Sequence, residues 1–193
     1  MHSFLKVFTI CSLLSVPAFS INKTDPVIIH PVVINSDSIP NINKHIRIFV
    51  GNFTDNTAAQ SNGTIGTTRT GIKTSAPIIV KPSLSESLQK SFENVLGKKG
   101  NLSKDASTAN YILNITISDC TVTENSSAFS QTLTVFLKLE VKLTDPLAAD
   151  KPRTFTVESH NSTKALDTSK YAESTLRDAI TSTITEIIKS INK

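Results

Sequence analysis

The longest run of alternating apolar and polar residues lies in the second half of the chain. Every second residue from Leu133 to Leu143 is leucine or valine, and the residues between them are mostly polar. Because successive side chains of a β-strand point to opposite faces of a sheet, this pattern predicts a long strand with one buried face and one face in water. Sheets of this kind are typically antiparallel, with helices packed on the dry side.

Four other segments have a two-residue period or a short apolar run and predict further strands. They lie at about 46–50, 69–80, 111–117 and 155–159. We therefore expect a mostly antiparallel sheet of about five strands.

Two segments have apolar residues at helical spacing. The first begins at Ser83, where Ser83 and Glu86 form a capping box that can satisfy free backbone N–H groups, and glycine ends it near residue 100. The second spans about residues 169–191. Together with the strands they predict an α+β fold, a two-layer sandwich with both amphipathic helices on one face of the sheet.

Residues 1–20 have the three parts of a cleavable secretory signal peptide. Lys6 supplies a positive charge, residues 7–16 are mostly apolar, and Ala18 and Ser20 are the small residues before a cleavage site. The apolar run is shorter than the about 20 residues that a membrane-spanning helix needs. We expect cleavage after Ser20 and a mature chain without a transmembrane helix; a buried N-terminal helix or an uncleaved anchor is the alternative.

Residues 21–45 are polar and contain Pro26, Pro31 and Pro40. A short apolar run around Pro31 predicts an edge strand or an extended arm, because proline lacks the N–H that an inner strand donates. We interpret the segment as an extended arm that leads into a single α+β domain, residues 46–193.

Composition and motifs exclude several function classes. The net charge is +4 and the longest basic run is Lys98-Lys99, which does not favour a nucleic-acid partner. His30, His45 and His160 lack metal-ligand spacing, and no Gly-x-Ser-x-Gly motif is present. We therefore expect no catalytic residues, no cofactor and no metal, and we interpret the chain as a protein that is not an enzyme.

Signal cleavage would remove Cys11 and leave Cys120, so no internal disulfide is expected. We interpret Cys120 as a partly buried strand residue, and the alternative is an intermolecular bridge or a reactive thiol. The carboxylate of the preceding Asp119 would raise the thiol pKa and not activate it.

A glycine-containing segment follows the first strand, and we call Asn62, Gly63, Gly66 and Arg69 the candidate loop. Its backbone N–H groups and its arginine could hold an anion, although it matches neither a P-loop nor a dinucleotide fingerprint. A flexible connection is the alternative. Since loops on rigid scaffolds often carry function, we predict that these residues contact a partner.

The order of elements resembles the YajG-like family of bacterial envelope lipoproteins over residues 26–191. The matching features are Ile65-Gly66-Thr67-Thr68-Arg69 before the first helix, Leu84, Leu88 and Leu96 with Gly100, the strand Tyr111-Ile112-Leu113-Asn114-Ile115, and a last helix with Leu176 and Ile180. The resemblance implies a Gram-negative envelope location, a compact α+β domain and a lipid anchor. Cys11 departs from a lipid-attachment site because Ile10 precedes it and apolar residues follow it.

These features together predict a non-enzymatic interaction module that binds a protein partner in the cell envelope. The periplasm is the favoured location, and outer-membrane association or secretion are the alternatives. A secreted factor that acts outside the cell is the second hypothesis, and a hydrolase with an unrecognised site is the third. The ligand and the oligomeric state are left open by the sequence.

We predict that the native protein from fractionated cells begins at Ile21 and carries no added mass. The physical reason is the pair of small residues before the cleavage site, which signal peptidase requires. Intact-mass spectrometry of the soluble periplasmic fraction tests this. A membrane-bound species with acyl mass on Cys11 would contradict it.

Overall fold

The computed structural model describes residues 25–30, 34–57, 62–69, 74–126, 130–165 and 171–193. The strands are β1 (Val27–Ile29), β2 (Ile48–Asp55), β3 (Thr64–Arg69), β4 (Ser75–Val80), β5 (Tyr111–Ser126), β6 (Gln131–Thr144) and β7 (Arg153–Ala165); the helices are α1 (Leu84–Lys98) and α2 (Ala172–Ile191). Two short 3₁₀ turns, Ser36–Ser38 and Ala106–Thr108, complete the described elements. The predicted signal peptide lies outside the described residues.

The sheet is organised around the long antiparallel pair of β5 and β6. Their register runs from Ile112 opposite Thr144 to Ser126 opposite Gln131. The leucines and valines of the predicted alternating run are all buried in β6, and the residues between them are partly or fully exposed. The prediction of a half-buried strand is therefore confirmed.

Over the described residues the sheet has seven strands, whereas the sequence predicts about five. β1 falls in the predicted arm, and β4 falls in the predicted strand 69–80. β3 lies in the segment that the sequence assigned to the candidate loop, and it forms an antiparallel pair with β4. Alternation did not reveal β3 because its sequence, TIGTTR, has one large apolar side chain. Pairing with β4, and contact with β5 at Gly66, hold this polar segment in the sheet.

The sheet order is β1-β4-β3-β5-β6-β7, and β2 also pairs with β5. The long pairings β5–β6 and β6–β7 are antiparallel, so the sheet is mostly antiparallel as expected. β1 pairs in parallel with β4, and both β2 and β3 run parallel to β5.

The helix α1 begins where its capping box predicts. The Ser83 Oγ accepts a hydrogen bond from the Glu86 N–H at 3.3 Å. The Glu86 carboxylate does not complete the box; it accepts from the Lys90 Nζ one turn later at 2.6 Å. Gly100, with φ +73°, follows the helix end in the left-handed conformation that glycine adopts readily.

One apolar cluster joins the two helices to the sheet. Phe92 of α1 and Ile184 of α2 are fully buried in it, together with Leu113 of β5 and Leu137 of β6. Among the described residues, no helix combines the length and the apolar composition that crossing a membrane requires.

The predicted arm packs into this cluster over its described part. Ile29, Ile34, Ile39 and Ile42 are each at most 5% exposed and belong to the cluster. β1 is an edge strand, paired only with β4 among the described strands. Polar residues and prolines separate these isoleucines in the sequence, so no periodic pattern announces their burial.

We predict that Ile34→Ala lowers the free energy of unfolding by about 2–5 kcal/mol, the usual cost of removing a buried isoleucine side chain. Ile28→Ala is the matched control because Ile28 is 42% exposed. Urea unfolding followed by circular dichroism measures both variants. Equal, small losses in the two variants would show that the segment is not part of the core.

Candidate functional site

A cavity of about 430 Å³ opens between the end of β2, the start of β3, the end of β4 and the first turn of α1. Its volume lies within the range of about 300–1,000 Å³ that small-ligand sites occupy. The apolar lining residues are Phe53, Ile65, Ile79, Val80 and Leu84, and the polar ones are Thr54, Asp55, Asn62, Lys81, Ser83 and Ser85, with Gly63 between them.

The cavity forms where two strands share one edge of β5. β2 pairs with β5 as far as Asp55 opposite Ile117, and β3 joins the same edge at Gly66 opposite Val122. Between Ile117 and Val122, the described residues supply no strand on that edge. β5 also has a register irregularity with β6 at this point. The described sheet therefore splits there, and the cavity is lined by the ends of β2 and β4, the start of β3 and the turn into α1.

Two members of the candidate loop lie at the cavity, and local hydrogen bonds hold them there. The Asn62 Oδ1 accepts from the Thr64 N–H at 2.9 Å, which forms a tight turn. The Gly63 carbonyl accepts from the Val80 N–H at 3.0 Å and ties the start of β3 to the end of β4. Gly63 has φ +71°, so a side chain here would be strained.

The other two members lie elsewhere. Gly66 is inside the sheet, where a Cβ atom would come within 2.8 Å of the Val122 Cβ and even closer to the Val122 carbonyl oxygen. Its lack of a side chain therefore allows β3 to approach β5. Arg69 is at the opposite end of β3, paired with Ser75, and its side chain lies outside the described part of the chain.

The polar rim of the cavity is the turn that leads into α1. The Lys81 N–H donates to the Ile29 carbonyl at 2.9 Å, which fixes the backbone between β4 and the helix. The Ser83 and Ser85 hydroxyls are 3.1 Å apart. The capping box located the helix start in the sequence, but it carried no signal that this turn faces β2.

The floor of the cavity is apolar. Phe53 of β2 lies against Phe92 of α1 with ring centroids 5.7 Å apart, which anchors the aromatic side chain to the core. Leu84 is 3% exposed and Ile65 is 4% exposed. Phe53 was not among the predicted site residues, because the apolar alternation predicts a strand that ends at residue 50, whereas β2 continues to Asp55.

Asp55, the one carboxylate among the described lining residues, is engaged in a turn. The Asp55 Oδ1 accepts from the Thr57 backbone N–H at 2.9 Å and from the Thr57 hydroxyl at 2.6 Å. These bonds close the end of β2. Among the described residues, no three His, Cys, Asp or Glu side chains come together in a way that could hold a metal ion.

Cys120 is buried in β5, more completely than the sequence suggests. Burial, together with the nearby Asp55 and Asp119 carboxylates, raises the pKa of the Cys120 thiol to about 12. The thiol is therefore protonated at neutral pH and is a poor nucleophile.

Comparison with known proteins finds similarity in fold. A crystal structure of a Xanthomonas campestris protein of the DUF330 family has a TM-score of 0.58 and 17% identity, over 86% of this chain and 94% of that chain. A minor lipoprotein from Acinetobacter baumannii has a TM-score of 0.37 and 17% identity, over 57% and 87%. Lipoprotein B from Nitrosomonas europaea has a TM-score of 0.33 and 13% identity, over 80% and 84%.

No protein-family model matches the sequence, and no curated protein matches it. The similarity to the Xanthomonas protein shows a shared α+β fold. It assigns no ligand to the cavity.

We predict that Cys120 resists alkylation in the folded protein. A pKa of about 12 in place of 9.0 lowers the thiolate fraction at pH 8 about a thousandfold. The Cys120 thiol loses its proton at a higher pH in the folded chain than in the unfolded chain. Its contribution to the free energy of unfolding is therefore complete below pH 9 and is lost as the pH rises towards 12. Iodoacetamide labelling at pH 8, read by peptide mass spectrometry with and without urea, tests this. Labelling at equal rates in both samples would contradict it.

Proposed function

We propose that this chain is a non-enzymatic binding module of the bacterial cell envelope and that the cavity beside the first turn of α1 is its binding site. The observation that carries the proposal is an apolar floor with a polar rim, built from strand ends and a helix start. Hydrogen bonds of the backbone fix these elements. Ligand sites in proteins are commonly apolar clefts of this kind with a few placed polar groups.

The lining indicates the chemistry of the ligand. Phe53, Ile79 and Leu84 offer an apolar surface to a hydrophobic group. The rim at Lys81 and Ser85 offers a positive charge and a hydroxyl to polar groups beside it. A segment of a partner protein with one or two apolar side chains between exposed peptide groups would satisfy both regions.

The same lining supports a non-enzymatic role. Nucleophilic catalysis needs a nucleophile and a base that activates it. The Ser83 Oγ is used as the helix cap, and the described lining residues include no histidine or cysteine. A hydrolase with an unrecognised site is therefore the less favoured hypothesis.

The proposed location depends on the N-terminal sequence. Residues 1–20 have the composition of a signal peptide, and the order of elements resembles that of YajG-like proteins. We place the mature chain in the periplasm, free or associated with the outer membrane. We also propose that its fold is a two-layer sandwich, with the helices forming one layer and the sheet the other. A secreted factor acting outside the cell is the alternative, and its presence in culture medium without lysis markers would favour it.

We predict that a photoreactive amino acid at Ser85 crosslinks the protein to an envelope partner in living cells. The control is the same amino acid at Leu147, which is 97% exposed in the turn after β6 and does not line the cavity. Mass spectrometry identifies the products. Ile79→Arg, which places a charge on the partly exposed cavity wall, should abolish the Ser85 product and leave the protein folded.

The same products at Ser85 and Leu147, or no product at Ser85, would contradict the proposed site. A Ser85 product that survives Ile79→Arg would show that the partner contacts the rim without entering the cavity.

A further inference from the structure

The outer edge of β7 is long and regular. β7 has 13 residues and pairs with β6 in an unbroken register from Arg153 to Ala165. It contains no proline and no bulge. Within the described part of the chain, no strand lies on its other side and no other segment hydrogen-bonds to its backbone.

The opposite edge of the sheet is much less available for pairing. β1 has three residues and directly follows Pro26. Short length and proline are two devices by which natural sheets avoid unwanted pairing, and bulges and buried charges are others. β7 has none of these four devices, and its charged side chains are Arg153 and Lys164 near its ends and Glu158 at its centre, all exposed. It therefore presents unpaired N–H and C=O groups to another strand.

The sequence of β7 complements itself when two copies run antiparallel about Ser159. We call the exposed side chains Thr154, Thr156, Glu158, His160, Ser162 and Lys164 the outer row. In that register Glu158 faces His160 of the second copy and Thr156 faces Ser162. Hydroxyl pairs favour cross-strand association. The Glu158 Oε1 accepts from the Lys138 Nζ of its own chain at 2.9 Å, and its second carboxylate oxygen can accept from an imidazole N–H.

Neighbouring registers are less favourable. A shift that centres the pairing on Glu158 places two carboxylates opposite each other, which is destabilising. A shift of the register by one residue would pair each outer-row residue with a residue whose side chain lies on the helix-covered face. The alternation of side chains along the pleated strands excludes that pairing. The register centred on Ser159 also uses the full length of β7.

We propose that β7 pairs with β7 of a second copy of this chain, so that two sheets become one across a two-fold axis. The interface is self-complementary, as a two-fold dimer requires. α2 packs on β6 and β7 through contacts such as the Ser159 Oγ to the Ala179 carbonyl at 3.1 Å, so it supports the strand from behind. The cavity at α1 takes no part, and the dimer is independent of the proposed function.

Sedimentation velocity of the processed native protein from about 1 μM to about 1 mM, the range of modest affinities, tests the dimer. We expect a concentration-dependent monomer–dimer equilibrium. His160→Glu places two like-charged pairs across the axis and should weaken dimerisation about tenfold or more. Thr121→Glu is the matched control, because Thr121 is exposed and its strand is β5.

A monomer over the whole range would overturn the proposal. So would a dimer that His160→Glu and Thr121→Glu affect equally, since it would use another surface.

Disulfide crosslinking tests the register. The double variant Glu158→Cys with His160→Cys should form a covalent dimer on mild oxidation, because these positions are opposite each other in the two copies. Thr154→Cys with Glu158→Cys should not, because neither position faces the other or itself. Buried Cys120 does not compete. Crosslinking of the second pair only would overturn the proposed register.

Discussion

The pairing of β5 with β6 is the interaction on which the other elements depend. Its inner face supplies the fully buried side chains of Leu113, Leu133 and Leu137 to the apolar cluster, in which α2 packs on β6 and β7 and α1 packs on β2. Its two outer edges receive the remaining sheet, with β7 on β6 and with β2 and β3 sharing β5. A strand of this length with one apolar face needs a layer of helix over it, because leaving that face in water would forfeit most of the hydrophobic stabilisation.

The shared edge of β5 also generates the cavity. β2 pairs with β5 as far as Asp55, and β3 meets the same edge again at Gly66. The turn into α1 lies beside that gap, where Lys81 is bonded to β1 and Gly63 to β4. The same contacts that complete the sheet therefore hold the rim in place, and a ligand would meet a largely preformed site.

Local pattern predicted the elements whose burial is periodic. Alternation predicts β6, helical spacing of apolar residues predicts the two helices, and the Ser83 hydroxyl predicts the cap. Each of these signals depends only on residues that are neighbours in the sequence. The apolar run around Pro31 predicted an edge strand or an extended arm, and β1 falls in that run. β3 was not predicted as a strand, because it is rich in threonine. For the candidate site, Asn62 and Gly63 were selected as part of a glycine-containing segment that could hold an anion, and both line the cavity, whereas Gly66 serves close strand packing.

The sequence by itself determined a sheet with one buried and one solvent-exposed face, two amphipathic helices and the start of α1. It also determined an N-terminus with signal-peptide composition. Each of these is a property of residues that are close together in the sequence. Tertiary structure decided which residues meet. Phe53, Asn62, Ile79 and Ser85 lie in separate segments, which meet at one cavity because β2 and β3 pair with β5 and β4 pairs with β3. The strand left at the edge was decided in the same way, because sheet order depends on long-range pairing that no local pattern specifies.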